Sequence, residues 1–256
     1  MGRAVDQLLE RSSELAWALA IFALVAPVEA MLGAGAKPSM AERLGNVGAM
    51  LVNFVAGGLL LNALLARPEA ASLLQFPPEP RAAALASPVA WALAATFLVD
   101  GVYYVYHRLQ HAVPLLWHIH ALHHTDPAMN VTTAKRTHFL ERPIQFLLLV
   151  LPVLWLLGYN EGGSAILAVT GPFLLYFAHV DVRLPLGPLT PLVVGPQYHR
   201  LHHALDAREQ GSNFAQAFPL FDMIGGTYRR PRPDEYVATG TEGCDTAASR
   251  WTPILW

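Results

Sequence analysis

Five apolar stretches, at about residues 14–33, 47–66, 87–105, 143–158 and 162–178, limit what this chain can become. Each approaches the roughly 20 residues that a helix needs to cross a bilayer. Backbone in hydrocarbon must satisfy its own hydrogen bonds, so such stretches are expected as helices. The last two are short and are joined through Tyr159-Asn160-Glu161, which reads as a hairpin that crosses and returns. The chain is 54% hydrophobic and only 14% charged, where a soluble domain carries about 25% charged residues. An all-α integral membrane bundle of about four to five spans is therefore the expected fold. A net charge of -2 carries no electrostatic sign of nucleic-acid binding.

Into this apolar frame the sequence sets 11 histidines, all between His107 and His203. Eight fall in tight clusters: His107 with His111, His120 with His123 and His124, and His199 with His202 and His203. Residues three and four apart share a helical face, so each cluster aims two or three imidazoles at one point. Neutral imidazole is the commonest metal ligand. Eight such nitrogens exceed what one tetrahedral ion can use, which favours two ions side by side. His118 lies two residues before His120, on another face, and reads as an interface or substrate contact. His138 and His179 are isolated, so spacing alone leaves them ambiguous, although both sit at a membrane boundary. Asp100 lies deep in the third stretch, on the same helical stripe as His107 and His111. A carboxylate there is expected to accept the second ring N–H of a metal-bound histidine.

If the clusters meet, residues 107–141 and everything beyond His179 lie at one end of the bundle. That end then holds Lys37, Arg43, Arg108, Lys135, Arg136, Arg142 and every basic residue from Arg183 onward, leaving Arg3, Arg11, Arg67 and Arg81 at the other. The positive-inside rule places the histidines on the cytoplasmic side, under a helical cap. Asp6, Glu10 and Glu14 beside Arg3 and Arg11 make a poor signal-peptide start, so the first stretch is expected to stay as a span. One membrane domain over 1–256 is expected, with N-terminal spans and a connecting loop over 1–99, a histidine region over 100–228 and a polar tail over 229–256. The tail, with Arg229-Arg230-Pro231-Arg232-Pro233, is expected in water or against headgroups, so that removing it should leave the metal in place. Cys244 is the only cysteine, which excludes a disulfide framework and iron–sulfur ligation within the chain.

The strings Tyr103-Tyr104-Val105-Tyr106-His107-Arg108-Leu109-Gln110-His111, Trp117-His118-Ile119-His120-Ala121-Leu122-His123-His124 and Tyr198-His199-Arg200-Leu201-His202-His203, with His179 between them, resemble the fatty acid hydroxylase/sterol desaturase superfamily of membrane di-iron oxygenases. The resemblance runs from about Asp100 to Tyr228. It implies a cap holding two non-haem irons, ligated by His107, His111, His120, His123, His124, His138, His179, His199, His202 and His203. It also implies supporting roles at the site for Asp100, Glu141, Asn213 and Asp222. Phe139, Asp181, Ala215 and His118 depart from the usual pattern, and these changes bear on substrate shape and on the tuning of the site rather than on the ligand set.

The expected activity is hydroxylation of a C–H bond of a fatty acyl chain, sterol or related lipid with O₂. Such a bond offers no acid, base or leaving-group handle, so an O₂-derived iron oxidant is needed. Tyr103, Tyr104, Tyr106, Tyr176 and Phe177 are candidates to line the pocket. No fused haem-binding domain is recognisable, so electrons are expected from a separate ferredoxin-, rubredoxin- or cytochrome-type protein. Desaturation uses the same motifs and stays open. Imidazole also suits zinc, so a zinc-dependent membrane hydrolase is the alternative of another class, although ten histidines over-fill two zinc ions. A transporter would need polar residues deep in several spans, where only Asp100 and Glu29 come near.

Overall fold

In the computed structural model, which describes residues 2–72 and 74–244, the chain is helical with no paired strands among the described residues. In order the helices are α1 (Gly2–Leu32), α2 (Met40–Val52), α3 (Gly58–Leu65), α4 (Pro88–Ala112), α5 (Pro114–His124), α6 (Glu141–Gln145), α7 (Leu151–Leu157), α8 (Glu161–His179), α9 (Pro196–His202), α10 (Ala207–Gln210) and α11 (Leu220–Gly225). Four helical segments are long and apolar enough to cross a membrane: Glu14–Leu32, Met40–Leu65, Pro88–Ala112 and Glu161–His179. The fourth apolar stretch becomes α6 and α7, joined by a π-helical turn at Phe146–Val150. It is shorter than these four and connects through Gly158-Tyr159-Asn160 to α8, with α4 packed against both rather than the two packed on each other. A second π turn, Asn53–Gly57, joins α2 to α3.

The helix ends follow local chemistry. Ser39 and Glu42 form a capping box on α2, satisfying two orphan N–H groups at once. Ser87 caps α4 and Asn160 caps α8 through their side-chain oxygens. Pro114 and Pro196 open α5 and α9, where a missing N–H costs nothing. Pro114 also holds Val113 in the extended region, so the chain turns sharply between α4 and α5 and sets their histidines face to face.

The two ends of the bundle are distinct. At one end Arg81 N–H donates to Leu157 O, Tyr159 N–H to Pro77 O, and Trp91 Nε1–H to Gly158 O. Gly158 has φ +73 and packs so closely on the backbone of Glu79 that a Cβ would collide with it. Residues 67–86 thus lie opposite the histidines. At the other end Glu29, buried at the foot of α1, accepts from Val131 N–H (2.7 Å) and Asp181 N–H (3.0 Å) and is gripped by Arg43. Gly35 N–H donates to Asp181, so the α1–α2 connection shares the histidine end. Lys37 and Arg43 therefore lie where the charge argument needs them.

The tail is not a solvated extension. Arg200 Nε donates to Val237 O, Leu205 N–H to Ala238 O, Gly240 N–H to His203 O and Tyr236 OH to Asp181 Oδ1. Gln197 adds bonds to the carbonyls of Arg232, Pro233 and Glu235. Residues 229–240 thus strap the outside of α9. Arg230, Arg232, Pro233 and Asp234 stay exposed on this strap, so the tail expected in water or against headgroups is anchored to α9 along one side. Its polar residues satisfy the backbone and side chains of α9, a role that composition cannot distinguish from solvation. Residues 245–256 of the expected tail lie outside the described residues.

Candidate metal centre

Three elements and one helix end bring the imidazoles together. α4 supplies His107 and His111, α5 supplies His120, His123 and His124, α9 with its C-cap supplies His199, His202 and His203, and α8 ends on His179. They divide into two groups. His107, His111, His120, His124 and His202 form one, His123, His179, His199 and His203 the other, and within each a ring nitrogen from every member lies within 4.8 Å of the rest. The groups adjoin: the rings of His124 and His203 stack at 4.3 Å.

The hydrogen bonds show why these nitrogens fit cations. His107 Nδ1 lies 2.7 Å from Phe214 O, and His202 Nδ1 lies 2.8 Å from Ser212 O. A carbonyl only accepts, so each Nδ1 carries the proton and each Nε2 presents a bare lone pair. His120 Nδ1 likewise faces a carboxylate oxygen of Glu141 at 3.1 Å. Yet His107 Nε2 stands 2.9 Å from both His120 Nε2 and His202 Nε2. Three lone pairs at that range repel unless a cation lies among them. In the second group His179 Nδ1 is tied to Leu175 O at 2.7 Å, and its Nε2 meets those of His123 and His199 at 3.2 Å. Two ligands about 2.1 Å from a shared ion stand roughly 3.0–3.4 Å apart, which matches. His111 Nε2, buried among the same rings and without a hydrogen-bond partner, points the same way. Burial first, then neighbouring histidines, holds His123, His124, His199, His202 and His203 well below the ordinary histidine range, leaving them neutral.

Two histidines stand apart, His118, expected as an interface or substrate contact, and His138, expected as a ligand. His118 is exposed and bonds back to Pro114 O. His138 belongs to neither group; its Nδ1 accepts from Leu140 N–H at 3.2 Å and its buried Nε2 has no partner.

The acidic positions divide by role. Glu141, on α6, is the carboxylate that reaches a histidine, and Gln110, Tyr106 and Gln145 donate to its remaining lone pairs. Asp100, expected at a histidine, instead accepts the backbone N–H groups of Gln216, Ala217 and Phe218 at 2.8, 3.1 and 2.6 Å. That loop lies over a hundred positions later, so spacing could not reveal it. Asp222 accepts from Phe214 N–H, Ala215 N–H, Tyr198 OH and Thr227 OH. Asn213, at φ 59, bridges Tyr198 O, Arg229 O and Arg229 N–H. Asp100, Asn213 and Asp222 thus touch no histidine. They fix the 212–218 loop, whose carbonyls at Ser212 and Phe214 orient His202 and His107. Sequence reasoning did not find Gln110, although it shares the α4 histidine segment and lies buried one residue before His111.

A cavity of about 290 Å³ ends on His120 and His123. Its walls include Leu61, Tyr103, Phe146, Val150 and Leu175, and its rim includes Glu14, Lys135 and Arg142. Both π turns border it, through Asn53 and through Phe146 and Val150, consistent with the frequency of π turns at functional sites. Of the five aromatic residues expected at a pocket, Tyr103 lines it. Tyr104 bonds Thr227, Tyr106 bonds Glu141, Tyr176 packs on Phe22, and Phe177 stacks on Phe173.

The family model described as fatty acid hydroxylase matches residues 92–227 of the 256. The chain belongs to the fatty acid hydroxylase family. The matched span takes in α4, α5, α8, α9 and both histidine groups. Curated relatives include alkylglycerol monooxygenase of Xenopus tropicalis, 34% identical over 56% of this chain and 31% of its own length. Ornithine lipid hydroxylase OlsE of Rhizobium tropici is 30% identical over 50% of this chain and 38% of its own. A very-long-chain aldehyde decarbonylase of Oryza sativa subsp. indica is 26% identical over 60% and 26%. The matches span between 26% and 38% of the length of these relatives. No solved structure matches the chain.

Proposed function

We propose that this member of the fatty acid hydroxylase family is a membrane-bound non-haem di-iron oxygenase that hydroxylates a C–H bond of a lipid. The observation that carries the reading is the pair of adjoining histidine groups, with bare Nε2 lone pairs, each lending one ring, His120 or His123, to the lining of a cavity between long apolar helices. The five-histidine group has more ligands than four-coordinate zinc takes, which supports iron over the hydrolase alternative. Iron held there supplies O₂ activation, the chemistry that an unactivated C–H bond requires. The protein's own contribution is positional. Phe214 O, Ser212 O, Leu175 O and Glu141 fix the tautomers and ring planes of His107, His202, His179 and His120. Leu61, Phe146, Val150 and Leu175 exclude water and guide an apolar chain toward His120 and His123. The relatives' printed activities, oxidation of alkylglycerols and of ornithine lipids, support a lipid substrate.

Electrons come, in this reading, from a separate ferredoxin-, rubredoxin- or cytochrome-type carrier, and the histidine end with its excess of Lys and Arg faces the cytoplasm. The test is anaerobic purification followed by metal analysis and O₂ consumption. Iron-dependent O₂ uptake with reductant, yielding a lipid heavier by one oxygen atom, is expected. A product lighter by two hydrogens would mark a desaturase, and stoichiometric zinc with ester or amide turnover would overturn the oxygenase.

A further inference from the structure

The rim of the cavity carries charge that metal binding does not use. Lys135 lies at the end of the 3-10 turn Val131–Lys135, and Arg142 lies on α6. Both face Glu14 of α1: Arg142 Nη2 lies 2.9 Å from one carboxylate oxygen, and Lys135 Nζ 3.8 Å from the other. The second distance is beyond hydrogen-bond reach. Among the described residues the ammonium's other charge-related contact is the ring of Tyr176, 5.9 Å away. Burial pushes the Lys135 ammonium below its ordinary range, and Glu14 only partly offsets this. Two cations thus share one carboxylate. The other acid in the cavity, Glu141, sits deeper and is already held by His120, Gln110, Tyr106 and Gln145.

The cavity between the two cations and His123 holds roughly ten groups of water size, at about 30 Å³ each.

We propose that Lys135 and Arg142 form a subsite for one anionic group, a phosphate or carboxylate, at the polar end of a lipid whose apolar part occupies the same cavity beside His120 and His123. This rests on the reading of the cavity as the substrate site. Glu14 occupies the cations when the subsite is empty and competes with the ligand.

The test uses the full chain in phosphatidylcholine nanodiscs and measures binding of dioleoyl phosphatidate against dioleoylglycerol, so that turnover does not enter the readout. Charge-assisted hydrogen bonds are strong enough that phosphatidate should bind about tenfold more tightly. Lys135→Gln and Arg142→Gln should remove that preference, Lys135→Arg should keep it, and Glu14→Gln should strengthen phosphatidate binding. Equal binding of the two lipids, or an unchanged preference in both glutamine variants, would overturn the proposal. Displacement of phosphatidate by millimolar inorganic phosphate would also overturn it, showing a free-phosphate site. Loss of the preference with iron-dependent lipid oxidation intact would remove this inference alone; an intact preference in a protein that oxidises no lipid would remove the oxygenase reading instead.

Discussion

At the scale of single residues, the site depends on which nitrogen of each imidazole holds the proton. Glu141 sets this for His120 and is itself saturated by Gln110, Tyr106 and Gln145. Replacing such a partner typically costs 10–100-fold in metal affinity, so Glu141→Gln is predicted to weaken iron binding by about that factor, read by competition with a chelator. Unchanged affinity would show that His120 does not need its carboxylate. His118→Ala should keep the metal, since that ring is exposed and bonded to Pro114 O, whereas His202→Ala should lose it. The neutral histidines also set a pH dependence. Their folded values lie well below the ordinary histidine value, with burial the largest cause. Below a pH of about 6.5 the unfolded chain binds more protons than the folded one. Metal-free protein should therefore lose thermal stability as pH falls through that range and hold it above, and a flat profile in a thermal-shift titration would contradict this assignment. The eight clustered histidines were legible because helical spacing advertises a shared face. His138 was not, since an isolated ring has no periodicity, and Asp100 misled because its loop partner arrives from another part of the chain.

At the scale of elements, α5 and α9 were readable from sequence: Asp126-Pro127 closes the first and Pro196 opens the second, while the start of α5 at Pro114 lies one residue before the Leu115 that sequence suggests. The 212–218 loop and the 229–240 strap were not, because polar, aperiodic segments carry no pattern that says what they touch. Their contacts now predict behaviour. Asp222 receives four donors while buried, and hydrogen bonds to a charged group contribute about 1.5–3 kcal/mol each at most. Asp222→Ala should destabilise the protein by about 3 kcal/mol or more and release metal, measured by thermal unfolding in detergent. A variant with native stability would show that the loop holds itself. Truncation after Tyr228 strips Val237, Ala238 and Tyr236 from α9 and its flanks. Iron content should fall with it, and a truncated protein that retains its full metal complement would restore the tail to a peripheral role.

At the scale of the whole molecule, burial of polar imidazole beside hydrocarbon works because the spans deliver every cluster to one end. The four long apolar helices and the shorter α6–α7 stretch were foreseeable from apolar run length, since a bilayer leaves the backbone few alternatives. The sidedness proposed from basic residues has a built-in reporter, for Cys244, the chain's only cysteine, is partly exposed at the histidine end. A membrane-impermeant maleimide should label it in inside-out vesicles and not in right-side-out ones; the reverse pattern would place the histidines outside. The central claim is that distant helices close a cage for two ions. Iron should be counted per chain after anaerobic loading, in the wild type and in His107→Ala and His179→Ala variants that break one group each. Two irons falling to one in each variant is the predicted result. A single iron in the wild type, or two irons retained in either variant, would contradict it.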